Sequence, residues 1–368
     1  MKIAFDHQIF SFQPYGGVSR YFFELASRLP AHGASDVSVI APWHVNKYLA
    51  DSGSSFTRGR YVNIPPYTIG GISVIPVANQ LVAPWTWRGT NPDIVHETYF
   101  SPKPVGKGRR RVVTVYDMIH ELLPAEFPDA KRMTAAKRAA VDRADHVICI
   151  SENTQRDLVR IYDVNPEKTS VVHLGYSMTA GANATTTQED RQKTAPFLLY
   201  VGNRRGYKNF STLLQAYASS PVLREFELIA FGGPPLLPDE HEEIRALGIT
   251  DRVRYESGSD QKLAARYRAA AAFVCPSKYE GFGLPPLEAM GHGCPVVCSN
   301  GGSIPEVVGD AGVYFDPNDH EELRAALERV ATTDELQADL RARGYTRTAV
   351  FSWDKCAAGT AQIYREII

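Results

Sequence analysis

Glu280-Gly-Phe-Gly-Leu-Pro-Pro-Leu-Glu288 sets two carboxylates eight residues apart, with a glycine turn and a proline pair between them. Just upstream, Phe273-Val-Cys-Pro-Ser277 reads as a short buried strand. Glu288 to Gly293 reads as the opening of a helix, with Pro285 or Pro286 at its first position. A strand–turn–helix of this kind aims backbone N–H groups at whatever lies over the turn, which makes it suited to an anion. Proline has no N–H, so the donors are expected from Gly281, Phe282, Gly283, Leu284 and Leu287. A diphosphate held there between two carboxylates suits a nucleotide-sugar: Glu288 accepts from two ribose hydroxyls while Glu280 reaches the sugar. On this segment alone, a βα loop with two surface glutamates is the competing reading.

Outward from this segment, short β-rich runs alternate with longer amphipathic ones. In the first half the strand candidates are Lys2–Phe5, Val37–Ala41, Ile94–His96, Val112–Val115, His146–Ile150 and Thr169–His173, with helices at Val18–Leu29, Ala130–Arg143 and Glu152–Tyr162 between them. In the second half the strands are Pro196–Val201, Glu227–Phe231, Val253–Glu256, Cys294–Ser299 and Gly312–Phe315. The helices there are Phe210–Ser219, His241–Leu247, Gln261–Ala271, Glu321–Thr332 and Asp334–Gly344. Such alternation predicts α/β architecture with parallel sheets covered on both faces. The stretch 180–195, rich in Ala, Thr, Asn, Gln and charge, reads as a linker. The expected organisation is a first domain over 1–179, completed by a closing helix over 351–368 anchored by Trp353, and a second domain over 196–350. Ligands of such sheets lie beyond the carboxyl ends of the strands, here in a cleft between the halves.

The 368 residues suit two domains, and 44% apolar with 22% charged residues is ordinary globular composition. A net charge of −1 argues against nucleic acid as a partner. One basic run, Lys107-Gly-Arg109-Arg110-Arg111, reads as a solvated loop that could also touch anionic lipid or phosphate. Five cysteines without a C-x-x-C pair suit a reducing compartment, with Cys149 and Cys275 as small core residues. There is neither a signal-peptide pattern nor an apolar run near the ~18 residues that span a bilayer. The expectation is a cytoplasmic protein whose only membrane contact would be peripheral, at the inner face.

Behind strand Pro196–Val201 comes Gly202-Asn-Arg-Arg-Gly-Tyr-Lys-Asn209. Arg204 and Lys208 leave the carboxyl end of that strand and are expected to hold a diphosphate and stabilise it as a leaving group. The chain contains no Asp-x-Asp and no His/Cys/Glu set at metal-ligand spacing. Protein cations are therefore expected to do what a divalent metal does elsewhere, with no cofactor. Gly16-Gly17 opens a helix, as a phosphate-suited start or as a tight turn. Tyr116, Asp117 and His120 follow strand Val112–Val115, and His96 with Glu97 close another. Asp117 is the best placed of these for an acceptor hydroxyl. Gly301-Gly302-Ser303-Ile304-Pro305-Glu306 is a further glycine turn, bordering the sugar pocket or serving only as a turn.

Together these segments resemble the retaining glycosyltransferases of the GT-B fold, family 4. The resemblance covers nearly the whole chain. Its most specific piece is Pro276-Ser-Lys-Tyr-Glu-Gly-Phe-Gly-Leu-Pro-Pro-Leu-Glu-Ala-Met290, similar to the family's pair of glutamates with seven residues between them. Gly202…Lys208-Asn209, Ser151-Glu152, Gly16-Gly17 and Gly301-Gly302…Pro305-Glu306 support it. The resemblance implies two Rossmann-like, doubly wound domains facing a central cleft, with a nucleotide-diphosphate sugar bound by the second and the acceptor by the first. It places Glu280 near the anomeric carbon, Glu288 on the ribose, and Arg204 and Lys208 on the diphosphate. Gly17 and the amides around Gly283 and Leu284 complete the cradle. Relatives often carry His-Asp where this chain has Tyr116-Asp117, with His120 one turn on as the substitute.

The compact loop Gly202–Asn209 resembles bacterial members that transfer mannose or related hexoses in surface-polysaccharide synthesis. The reading is thus a metal-independent, retaining transfer of a hexose, mannose from GDP-mannose before a UDP-linked sugar, to a glycan or polyprenyl-linked acceptor. Two classes compete with it: an epimerase or phosphorylase on the same scaffold, and a non-catalytic nucleotide-sugar-binding protein.

Overall fold

A computed structural model describes residues 1–64, 74–176 and 196–368. The chain divides into two compact units: Met1–Gly175 with Ser352–Ile368, and Tyr176–Phe351. The segment read as a linker, 180–195, lies outside the described residues.

In the first unit seven strands form one sheet: β1 (Lys2–Phe5), β2 (Asp36–His44), β3 (Thr57–Tyr61), β4 (Ile94–Glu97), β5 (Arg110–Val115), β6 (His146–Cys149) and β7 (Thr169–Val171). Their order is β3-β2-β1-β4-β5-β6-β7, and every neighbouring pair is parallel. The second unit has six: β8 (Phe197–Val201), β9 (Glu227–Phe231), β10 (Val253–Glu256), β11 (Ala272–Cys275), β12 (Val296–Ser299) and β13 (Gly312–Phe315). They run β10-β9-β8-β11-β12-β13, again parallel throughout. The strand order reverses between β1 and β4 and between β8 and β11, so each doubly wound sheet has its switch point there. Loops leaving those strands are where such sheets bind ligands.

The central strands are apolar runs because helices cover both faces. Phe197, Leu198, Leu199 and Tyr200 of β8 are all buried, as are Ala272, Phe273, Val274 and Cys275 of β11. The covering helices show local start signals, as in Glu152–Tyr162, where the Ser151 hydroxyl accepts the Thr154 N–H at 3.1 Å. Helix Trp353–Ile367 returns to the first unit and packs on helix Gly17–Arg28. Tyr364 on it reaches His96 Nδ1 at 2.5 Å, while His96 Nε2 lies 2.8 Å from the Thr114 hydroxyl.

Several boundaries differ from the sequence reading. Strand β11 stops at Cys275, because Pro276 has no N–H for the ladder. The helix expected from Glu288 spans Leu284–Gly291, with Leu284 first and the two prolines behind it. Helix Asp334–Thr348 runs on past Gly344, which lies against Met290 where no side chain would fit without displacement. Strand β3 and helices Gln8–Phe12 and Val74–Thr86 were not foreseen. The first is an exposed edge with no apolar alternation, the second is five residues long, and the third carries two prolines.

Burial keeps the first unit's core histidines neutral: it lowers His96 to about 3 and His7 to about 4. A histidine lowered on folding binds its proton only in the unfolded chain between the two pKa values. Stability is therefore complete above the unfolded value near 6.5 and declines as pH falls below it. His96 alone is expected to cost about 1.4 kcal/mol between pH 7.5 and 5.5. All four tryptophans, Trp43, Trp85, Trp87 and Trp353, belong to the first unit, so their fluorescence reports its unfolding. Urea titrations should show wild type losing that much more than His96→Gln over this interval; equal losses would refute the assignment.

Candidate active site

The loop after β8 and the loop after β11 are tied together by named bonds. The Lys278 N–H donates to the Tyr207 carbonyl at 2.8 Å. Asn209, held at φ +61°, sends its side-chain amide to the Pro276 carbonyl at 3.0 Å and the Pro317 carbonyl at 2.7 Å. One buried asparagine thus links the carboxyl ends of β8, β11 and β13. On this frame Lys208 Nζ lies 2.7 Å from Glu280 Oε1, the two side chains 22% and 14% exposed. Burial by itself would depress the ammonium, but the Glu280 carboxylate outweighs it, and Lys208 titrates above the ordinary lysine range. Two residues separated by 72 positions and expected to act together do meet.

Arg204 is placed differently from the expectation. Its side chain is 1% exposed and forks onto Glu240, Nε to Oε1 at 3.0 Å and Nη2 to Oε2 at 3.1 Å. The same guanidinium donates to the carbonyls of Gly232, Pro234 and Pro235 at 3.2, 2.6 and 3.0 Å. Every nitrogen is engaged, so in this conformation the residue clasps the loop after β9 and does not present its fork to an anion. Glu240 also accepts the Leu237 N–H at 2.7 Å, fixing the start of helix Pro238–Ala246. Arg205 is exposed and paired with Asp239.

Gly283 caps helix Leu284–Gly291 at φ +102°, a conformation that favours glycine, with no side-chain cap. The Leu287 N–H is spent on the Gly283 carbonyl at 3.3 Å, which removes it from the expected donor set. Gly281 borders the turn half-buried, and Phe282 packs edge-on against Phe351 with ring centres 5.6 Å apart. Glu288, on the second turn, accepts from the buried Tyr267 hydroxyl at 3.4 Å.

Gly301-Gly302-Ser303 acts on Glu280 through its backbone: the Ser303 N–H and hydroxyl both donate to the Glu280 carbonyl, at 3.0 and 2.9 Å. A Cβ on Gly302, itself at φ +59°, would stand 2.5 Å from that oxygen and 2.8 Å from the Glu280 nitrogen. Gly302→Ala is therefore expected to shift Glu280 and to lower turnover by about 10²-fold with the fold retained. Near wild-type rates in the folded variant would remove Glu280 placement as that turn's role.

In the first unit the expected acceptor residues diverge. Tyr116 is buried and donates to the Thr98 carbonyl at 3.2 Å, a strut between the ends of β5 and β4 rather than a group facing an acceptor. Asp117 is one-third exposed and accepts the Ile119 N–H at 3.1 Å. Beside it, buried Lys137 donates to the Asp117 carbonyl at 2.9 Å and to Glu121 at 2.8 Å. Burial would raise the Glu121 carboxyl, but Lys137 and the Tyr162 hydroxyl prevail and hold it below the usual range. His120 turns onto Phe127, ring centres 4.5 Å apart, and lines a depression with Pro124, Thr134 and Tyr162.

Gly17 is the first residue of its helix behind Gly16, and the Gln13 side chain takes the Ser19 N–H at 3.2 Å. His96 and Glu97 are core residues, Glu97 clamped by Arg111 at 2.6 Å and by Arg143. Arg111 therefore belongs to β5 and its buried pair, not to a solvated loop.

Asn209, Glu240, Ser303 and Lys137 were not assigned from sequence. Lys137 left a signal: it falls on the buried stripe Ala136, Ala140, Val141 of helix Ala130–Arg143, where a charge implies a partner. All five cysteines are buried and none forms a disulfide.

Comparison with known proteins follows the same division. The model described as Glycosyltransferase Family 4 matches residues 15–179, and that described as Glycosyl transferases group 1 matches 183–347. The O-antigen chain mannosyltransferase B of Escherichia coli is 30% identical, the alignment covering 99% of this chain and 100% of that protein. A D-inositol 3-phosphate glycosyltransferase of Streptomyces bingchenggensis is 29% identical over 95% of this chain and 85% of its own length. Among solved structures, sucrose-phosphate synthase from Thermosynechococcus elongatus superposes with a TM-score of 0.76 at 22% identity, covering 100% and 99% of the two chains. WaaG, a glycosyltransferase involved in lipopolysaccharide biosynthesis, gives 0.73 at 18% identity, covering 98% and 99%. These structures share the GT-B architecture of two Rossmann-like parallel sheets. The chain belongs to the group 1, family 4 glycosyltransferases.

Proposed function

We propose that this glycosyltransferase moves mannose from GDP-mannose, with retention at the anomeric carbon, to a glycan or polyprenyl-linked glycan in surface-polysaccharide synthesis. The observation that carries the site is the Lys208–Glu280 pair at 2.7 Å, at the switch point of the second sheet beside a glycine-capped helix start. The relative named an O-antigen chain mannosyltransferase supports the sugar and the pathway class. In this reading the nucleotide-sugar binds the second unit. Lys208 releases Glu280 and turns to the diphosphate, Glu280 takes donor-sugar hydroxyls, and Glu288 takes the ribose. As the glycosidic bond lengthens, charge gathers on the departing diphosphate. Lys208 and the amides of Gly283 and Leu284 stabilise it. The acceptor hydroxyl attacks the same face, its proton passing to the departing phosphate oxygen. Asp117 is the first unit's candidate for orienting that hydroxyl.

Lys208 supplies the positive charge that a divalent ion supplies in other transferases, so chelator-treated protein is expected to keep its turnover. The test is release of GDP from GDP-mannose with a mannosylated acceptor in EDTA, with the product anomer read by NMR. Activity lost in EDTA and restored by magnesium or manganese, or an inverted anomer, would overturn the reading. Faster release of UDP from a UDP-sugar would replace the donor assignment alone.

A further inference from the structure

Helix Val74–Thr86 is apolar on both faces. Its buried polar residue is Asn79, which accepts the Trp43 N–H at 3.0 Å and donates to the Trp43 carbonyl at 2.7 Å and the Ser11 hydroxyl at 2.9 Å. Its outer face carries Val74, Val77, Leu81 and Trp85, exposed by 44%, 51%, 67% and 62%. At about 100° per residue these four fall within roughly 80° of one another, a single stripe. The helix contains no charged residue, and of its two amides Asn79 points inward while Gln80 is exposed beside the stripe. An outward helix face on a soluble domain is ordinarily charged. Trp43, whose backbone Asn79 holds, extends the patch at 38% exposure.

Cations flank the stripe. Exposed Arg88 follows the helix directly. Trp87 packs over Gly106, where a Cβ would lie 2.5 Å from its ring, so the exposed Lys107 and Arg109 continue from the helix's end. Asp93, the acid in the depression that Lys107 and Arg109 line, is engaged by the Lys2 N–H at 2.8 Å. On the other side, exposed Arg60 stands opposite Trp43 in the β2–β3 register.

We propose that this face docks the protein on a bilayer surface bearing anionic lipids, with the apolar stripe in the acyl boundary and the flanking cations at the headgroups. An uncharged apolar stripe ending in tryptophan and rimmed by Arg and Lys matches that interface in both polarity and sign. Among the described residues no helix is long and apolar enough to cross a membrane, so the attachment lies in the plane of the interface. It does not depend on which sugar is transferred.

The test is flotation of the full chain with phosphatidylcholine vesicles, alone or with about a third phosphatidylglycerol. Wild type should float with the anionic vesicles and much less with the neutral ones. Leu81→Glu/Trp85→Glu should weaken the association by more than about tenfold. Lys107→Glu/Arg109→Glu should weaken it about tenfold and flatten its salt dependence. These side chains are exposed, so thermal melts should match wild type. If the glutamate pair fails to fold, Leu81→Gln/Trp85→Gln replaces it. Absence of vesicle binding by wild type, or undiminished binding by the stripe variants, would overturn the proposal. So would a wild-type dimer in sedimentation velocity that the stripe variants dissociate while vesicles go unbound, which would give the face to a second copy.

Discussion

Lys208→Met is expected to fold and to lose about 10²–10³-fold in kcat. The magnitude is that of removing one fixed charge contact from a developing anion. The ammonium rests on Glu280, already held at the loop where the diphosphate is proposed to bind. Removing it also strands a carboxylate that is 14% exposed. That second effect confuses a single substitution, and comparing Lys208→Met/Glu280→Gln with Glu280→Gln alone separates the two. If Lys208 serves only to pair Glu280, removing it from the Glu280→Gln protein costs no further activity. If Lys208 neutralises the leaving group, the double variant falls about 10²-fold or more below Glu280→Gln. Single-turnover measurements with bound donor would show whether the loss lies in the transfer step itself.

Arg204→Met is expected to act first on stability. It breaks a fork in which the arginine side chain is 1% exposed and the glutamate 10%. The variant leaves Glu240 with the Leu237 N–H and no cation. Losing one partner of a buried pair costs about 3–5 kcal/mol. In a unit of this size that corresponds to a fall of roughly 6–20 °C in the midpoint of the second unit. Arg204→Met/Glu240→Met should recover part of the loss, because the carboxylate no longer needs a partner. A native midpoint with abolished turnover would instead return Arg204 to the diphosphate. Circular dichroism is the probe, since the tryptophans all report the other unit.

Much of the architecture was readable from composition and period alone. Buried parallel strands are short apolar runs, and Phe197–Val201 or Glu227–Phe231 stand out because charged and turn-forming residues bracket them. The unforeseen pieces lack that contrast. β3, Thr-Arg-Gly-Arg-Tyr, is held by pairing with β2 and has little hydrophobic signal of its own. Helix Val74–Thr86 is apolar on both faces, so amphipathic logic does not identify it.

The site shows the same limit. The meeting of Lys208 and Glu280 was legible because the loop after each switch strand has a known place in a doubly wound sheet. The fate of Arg204 was not, because Glu240 lies 36 residues away and only tertiary structure brings it near. A cation behind a strand looks the same in sequence whether it faces a ligand or a buried acid. Tyr116 was misread for a related reason: its position suggested an acceptor, while its hydroxyl had a backbone carbonyl to satisfy.

Equilibrium titration of the wild type and of Lys208→Met with GDP, GMP and guanosine tests the donor site most directly. The account predicts that wild type prefers GDP to GMP by at least about tenfold and that Lys208→Met loses this preference while binding guanosine unchanged. A Lys208→Met variant that still distinguishes GDP from GMP as wild type does would place the diphosphate elsewhere and contradict the account.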